Sequence, residues 1–137
     1  MPNSLKNKIK KKVIIVIGGN GYLGKSICDQ LEKDGNVVIS VDKYNNISKQ
    51  KDNLRNIKAD ITNPRDVEIV TKKILKIYNT IDTVIYSVTG KSSDFYKPFT
   101  DCSLKGWKSI LDVELNGLFN VAKYFGKIFE KQNFGNF

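Results

Sequence analysis

Val13-Ile14-Ile15-Val16-Ile17-Gly18-Gly19-Asn20-Gly21-Tyr22-Leu23-Gly24 is the stretch that decides the fold of this chain. Five consecutive β-branched residues, Val13 to Ile17, predict a strand buried on both faces. The run passes straight into glycines at 18, 21 and 24, and then into Leu23, Ile27 and Leu31, apolar at a spacing of four. That is a strand, a turn and a helix. Gly18 lets the chain leave the strand sharply, and Gly21 lets the backbone come close to a pyrophosphate. Gly24 lets the new helix pack tightly against the sheet. The helix N-terminus then offers unpaired N–H groups and the positive end of its dipole to phosphates. A Gly-x-Gly-x-x-Gly match alone (here Gly19, Gly21 and Gly24) carries little weight. Its place between a buried strand and an amphipathic helix is what gives it meaning.

The second half of such a fingerprint is an acidic residue about twenty positions on, closing the next strand. Val37–Val41 reads as that strand, and Asp42 ends it. A carboxylate there accepts hydrogen bonds from the hydroxyls of an adenosine ribose, so the expected cofactor is NAD. NADP is disfavoured, because its 2′-phosphate would bring a second anion beside Asp42. Asp is also a common turn residue, and only its place behind the glycine turn favours the ribose reading. Lys43, the next residue on an extended strand, is expected to face the other way, toward solvent.

The length of 137 residues predicts one domain, residues 13–137, large enough for a core but short for a complete dinucleotide enzyme. No apolar run reaches the length of a membrane span, and Val13–Ile17 is too short for a signal-peptide core. The expected location is therefore the cytoplasm, with no membrane partner. Cys28 and Cys102 stand apart without metal or redox spacing, which fits a reducing compartment. The chain has no histidine, which removes histidine-based acid–base chemistry, Ser-His-Asp triads and His-ligated zinc. A net charge of +9 raises the question of nucleic acid. Against it, Arg55 and Arg65 are the only arginines, and the lysines are scattered apart from a basic N-terminal tail over residues 1–12. Solvated surface lysine accounts for the charge, and no nucleic-acid partner is expected.

The rest of the chain alternates strands and helices, which predicts a parallel sheet with helices on both faces. A helix over Gly21–Asp34 is stopped by Gly35, and residues Lys43–Arg55 read as polar loop. Asn56–Asp60 is a short third strand. Asn63-Pro64 opens a helix whose stripe Val67, Val70, Ile74 and Ile77 faces the sheet. Thr83–Val88 is the fourth strand, and a loop with Gly90, Ser92, Ser93 and Pro98 follows it. Ser103 caps a last helical region reaching about Gln132. The fold class is thus α/β, a Rossmann-like doubly wound sheet of order 3-2-1-4. Its crevice lies between strands one and four. Strand four, apolar on both faces, would be an exposed edge of a kind that natural sheets rarely leave open.

From Val13 to the last residue the sequence resembles the short-chain dehydrogenase/reductase family. The glycine turn is similar to the Thr-Gly-x-x-Gly-x-x-Gly form of the family's extended members, with Ile17 in place of Thr. Asp60-Ile61 is similar to the family's Asp-Val pair, which implies that this carboxylate meets the adenine amino group. Asp82–Thr89 stands where the family has its Asn-Asn-Ala-Gly strand, so the resemblance implies that Ser87, Val88 and Thr89 line the cofactor ribose. It likewise implies that Tyr22 and Leu23, within the glycine motif, contact the cofactor. Ser103-Leu-Lys-Gly-Trp107 and Leu111-Asp-Val-Glu-Leu-Asn-Gly117 resemble the helix of the reductases, except that Glu114 stands where the family carries Asn. The family's Tyr-x-x-x-Lys pair is missing, since no tyrosine here has a lysine four residues later.

The resemblance therefore implies the NAD(P)-binding half of an oxidoreductase, ending before the fifth strand and inactive by itself, with no catalytic residues assigned. The complete protein would move hydride to or from a carbonyl or alcohol of a small-molecule substrate, and a homo-oligomer is compatible with that. The alternatives are a nucleotide-sugar epimerase or dehydratase of the extended type, and a non-catalytic dinucleotide-binding protein.

Overall fold

The structure is a computed structural model, and it describes residues 11–44 and 55–137. The basic tail, apart from Lys11 and Lys12, and most of the polar loop expected over Lys43–Arg55 lie outside the described residues. Strand β1 (Val13–Ile17) is buried along its whole length. It pairs in parallel with β2 (Val37–Asp42) on one side and with β4 (Thr83–Tyr86) on the other. The short β3 (Asn56–Lys58) pairs with β2, so the order is β3-β2-β1-β4 as expected.

The alternation of β1 side chains divides the core. Val13, Ile15 and Ile17 face the larger cluster, where α2 (Pro64–Tyr78) contributes Val67, Val70 and Ile74 and α4 (Leu118–Gln132) contributes Val121, Phe125 and Ile128. Ile14 and Val16 face the opposite way and pack with Val38 and with Ile27, Cys28 and Leu31 of α1 (Tyr22–Lys33). A strand with helices on both faces has to be apolar at every position, which is why the β-branched run is unbroken. Ile15 and Val16 are wholly inaccessible, and burying each such side chain stabilises the fold by about 1.5–3 kcal/mol.

Helix α2 begins as expected, with Asn63 accepting the Arg65 N–H at 3.1 Å and Pro64 at the first helical position. Its buried stripe differs in one place. Ile77 is exposed, and Thr71 and Tyr78 fill the face instead. At 100° per residue Ile77 lies about 80° around the helix from Val67, whereas Tyr78 returns to within about 20°. Strands three and four are shorter than expected. The Ala59 and Ser87 N–H groups still donate to the carbonyls of Asp42 and Ile17, at 3.0 and 2.9 Å, just past the ends of the strands.

The last helical region is continuous, but not uniform. Ser103 caps α3 (Leu104–Leu111) through the Gly106 N–H at 3.0 Å. A π-helical segment, Asp112–Gly117, then separates α3 from α4. Past α4 the chain turns at Asn133, and Asn136 makes a parallel bridge to Thr83 on the side of β4 away from β1. The edge expected to lie open is therefore covered at its start. Among the described residues no helix is long and apolar enough to cross a membrane.

Candidate functional site

The glycine turn sits at the carboxyl end of β1, where the sheet order reverses and a ligand crevice belongs. Gly18 takes φ of +81°, so the chain leaves the strand in a conformation that favours glycine. A Cβ there would also lie 2.3 Å from the Ser87 carbonyl oxygen, so the turn rests against the end of β4. Gly24 is needed for closeness of another kind. Its Cβ would stand 2.1 Å from the Gly18 oxygen, so the glycine lets α1 pack on the turn itself rather than on the sheet.

Gly21 is different. A Cβ on it would meet only the Gly18 oxygen, at 3.3 Å, and would otherwise point into open space. The first turn of α1 has no side-chain cap and no acidic residue. Its N–H groups and dipole end lie beside a position that the described residues leave open, which suits an anion. Tyr22 and Leu23 are largely exposed beside it. The residues present fit a dinucleotide pyrophosphate over Gly21.

Asp42 closes the crevice on the β2 side. Its Oδ2 accepts the Asn20 N–H at 3.1 Å, and its Oδ1 accepts the Tyr44 N–H at 2.9 Å. The carboxylate is therefore tied to the glycine turn as well as to the turn that follows β2. Each oxygen has a second lone-pair direction for a ribose hydroxyl.

Lys43 is exposed, as expected, but it also has a partner. The chain bends out of the strand at this residue, so strand alternation no longer directs its side chain, and its Nζ lies 2.7 Å from Asp60 Oδ2. Asp60 Oδ1 accepts both the N–H and the hydroxyl of Thr62, at 3.0 and 2.7 Å. Partial burial pushes the Asp60 carboxyl up, but the Lys43 and Thr62 hydrogen bonds outweigh it and hold the group below the usual carboxylate range. The same bond raises Lys43 above the usual lysine value. Ile61 is buried beneath this corner, and its carbonyl accepts from Asn120 Nδ2 of α4 at 2.9 Å.

On the β4 side, Ser87 and Val88 are half-buried and Thr89 is exposed. The π-helical segment reaches this corner. The Tyr86 hydroxyl donates to the Val113 carbonyl at 2.6 Å, and Glu114 Oε1 accepts the Gly90 N–H at 3.0 Å. Burial, with the nearby Glu114 charge adding to it, pushes the Tyr86 phenol well above its ordinary value. Glu114, at the departure from the family pattern, thus anchors the loop leaving β4.

The structure brings the expected residues to one end of the sheet. Sequence reasoning missed the parts of Asn20, Ser40 and Asn120. Asn20 lies within the quoted motif, but a side chain that bonds across 20 or 24 positions has no local signal.

Comparison with known proteins agrees with this geometry. The family profile described as short chain dehydrogenase matches residues 12–137. An uncharacterized oxidoreductase of Schizosaccharomyces pombe is 30% identical over 139 residues, covering 93% of this chain and 51% of the relative. The 3-oxoacyl-(acyl-carrier-protein) reductase FabG of Buchnera aphidicola is 30% identical over 127 residues, covering 85% of this chain and 49% of the reductase. The chain therefore spans about half the length of the curated relatives it matches.

Among solved structures, ligand-free aldohexose dehydrogenase of Thermoplasma acidophilum superposes with a TM-score of 0.75 at 26% identity, over 88% of this chain and 45% of the other. A short chain dehydrogenase of Leptospira borgpetersenii with bound NAD+ (TM-score 0.74, 18% identity) covers 96% of this chain and 51% of its own. ElxO with NADP bound (0.78, 20%) covers 92% and 54%. At those identities the last two show the fold alone. The nucleotide-sugar alternative is not favoured by these matches. With a matching profile over nearly its whole length, and the sheet order and glycine turn that go with it, the chain belongs to the short-chain dehydrogenase family.

Proposed function

We propose that this chain is the cofactor-binding part of an NAD(P)-dependent oxidoreductase and that its crevice takes NAD in preference to NADP. The open space over Gly21, beside an uncapped helix N-terminus, together with Asp42 held at 3.1 Å by the N–H of the preceding residue, Asn20, carries this reading. The first-turn N–H groups bind the pyrophosphate, with Tyr22 and Leu23 flanking it. Asp42 accepts from the adenosine ribose, and Asp60 and Ile61 border the adenine. Ser87, Val88 and Thr89 line the ribose on the nicotinamide side. The cofactor supplies hydride at nicotinamide C4, and the protein's share is to orient it.

The partner in reaction is a carbonyl or alcohol of a small-molecule substrate in the whole protein. Residues 1–137 bind without turning over, because no tyrosine here has a lysine four positions on to lower its pKa. The two free cysteines, Cys28 and Cys102, suit a cytoplasmic location.

The experiment is a pair of dissociation constants, NADH and NADPH, for the full chain and its Asp42→Ala variant. Two unit charges about 4 Å apart repel by roughly 1 kcal/mol in water and about 4 kcal/mol at an effective dielectric near 20. NADH is therefore expected to bind about tenfold tighter or more, and Asp42→Ala to gain relative affinity for NADPH. Tighter NADPH binding by the unaltered chain would overturn the preference, and absence of binding to either would overturn the site.

A further inference from the structure

We propose that Asn20 is a positioning residue that fixes the Asp42 carboxylate and thereby sets the discrimination between NAD and NADP; this rests on the cofactor reading above. Asn20 uses both its backbone and its side chain to join the glycine turn to the end of β2. Its N–H donates to Asp42 Oδ2 at 3.1 Å, its Nδ2 donates to the Tyr44 carbonyl at 2.9 Å, and its Oδ1 accepts from Ser40 Oγ at 3.1 Å. The Tyr44 N–H returns to Asp42 Oδ1 at 2.9 Å. Asn20, Asp42 and Tyr44 thus form a closed ring of three hydrogen bonds, and Ser40 holds the ring from below through a fourth.

The ring has a rigid floor. Ser40 is buried and lies two residues before Asp42, on the same face of β2. The turn sits directly on it, since a Cβ on Gly19 would stand 2.3 Å from Ser40 Oγ. An amide is the side chain that suits this place. It accepts from the Ser40 hydroxyl and donates to the Tyr44 carbonyl at once, whereas a carboxylate has no proton to give and serine is shorter by a functional group. Without the amide, Tyr44 loses its tie to the turn, and the N–H groups on either side of the Asp42 carboxylate are no longer held in register. The carboxylate then turns, and with it the lone pairs that receive the ribose hydroxyls.

A residue that merely stabilised the fold would lower affinity for both cofactors alike. A residue acting through Asp42 changes their ratio, and only while Asp42 is present. The test is therefore a double-mutant cycle. NADH and NADPH dissociation constants are measured for the full chain, Asn20→Ala, Asp42→Ala and the double variant.

The expected result is a roughly three- to tenfold loss of NADH affinity in Asn20→Ala, the range of one or two hydrogen bonds, with NADPH changed less than about twofold. In the Asp42→Ala background the same substitution is expected to leave the ratio unchanged. Ser40→Ala, which removes only the donor to Asn20 Oδ1, should shift the ratio in the same direction by a smaller factor. It supplies the answer should Asn20→Ala fail to fold.

Equal losses for both cofactors, an unchanged ratio in Asn20→Ala or Ser40→Ala, or an effect that persists without Asp42 would each overturn the proposal. An unaltered chain that binds neither cofactor would instead overturn the cofactor reading, and the proposal with it.

Discussion

At the scale of single residues, the three glycines of the turn have three separate duties, and substitution distinguishes them. Gly21→Val is expected to keep the fold, since its Cβ meets nothing closer than the Gly18 oxygen at 3.3 Å. It should nonetheless abolish NADH binding, because the side chain occupies the space of the pyrophosphate. Energy transfer from Trp107, the only tryptophan, to NADH reads the binding, and circular dichroism reads the fold. Unchanged affinity would remove the turn from the site. Gly24→Ala should behave in the opposite way and lower stability first, since the added carbon would stand 2.1 Å from backbone. Thermal unfolding should show a drop in midpoint of several degrees, as expected for a close contact that cannot relax. The glycines and Asp42 were legible because their spacing is local and tied to strand and helix periodicity. The exposure of Lys43 was legible, but its contact with Asp60 was not, because the alternation rule ends where the strand ends.

At the scale of elements, side chains pin the ends of helices to the backbone of distant segments, and none of this is legible from periodicity. Gln132, the last residue of α4, reads as a surface polar residue in sequence. Its Oε1 accepts the Ile81 N–H at 3.0 Å and its Nε2 donates to the Ile81 carbonyl at 2.9 Å, so it closes the approach to β4 like a piece of strand. Ile81 is fully buried, and Gln132→Ala should leave both its backbone groups without that partner. Urea unfolding is expected to show a loss of about 1–3 kcal/mol, and a loss below about 0.5 kcal/mol would show that water replaces the amide.

The loop before α3 is held in a similar way. Buried Asp94 accepts the Ser103 N–H at 2.8 Å, the Ser103 hydroxyl, and the Lys97 ammonium at 2.7 Å. The hydrogen bond from Lys97, followed by those from Ser103, holds its carboxyl well below the usual carboxylate range. A depressed carboxyl contributes stability that is fully present above its unfolded pKa of about 3.9 and fades as pH falls toward the folded value. Asp94→Asn should therefore lower the unfolding midpoint by a constant amount between pH 5 and pH 8 (about neutral conditions). The gap to the unaltered chain should narrow below about pH 4. A gap that stayed constant into acid would show that shape, and not charge, holds the loop.

At the scale of the whole molecule, the sheet order was legible because the β-α alternation and right-handed crossovers leave few topologies open. The π-helical segment and the Asn136 bridge were not, because both depend on contacts between segments far apart in sequence. The π-helical segment brings Val113 and Glu114 to the loop leaving β4, while Asn120 holds the loop after β3. One helical region thus supports two rims of the crevice whose third rim is the glycine turn. A ligand that bridges those rims should quiet all of them together and leave the body of α2 beyond its first turn unaffected.

Hydrogen exchange of the full chain with and without saturating NADH measures this directly, since it reports local opening segment by segment. The expected result is slowed exchange in peptides covering the glycine turn at 18–25, the corner at 59–62 and the loop at 87–90, with residues 68–78 of α2 unchanged. Slowed exchange confined to α2 or the face of α4, with the glycine turn unaffected by bound NADH, would contradict the account.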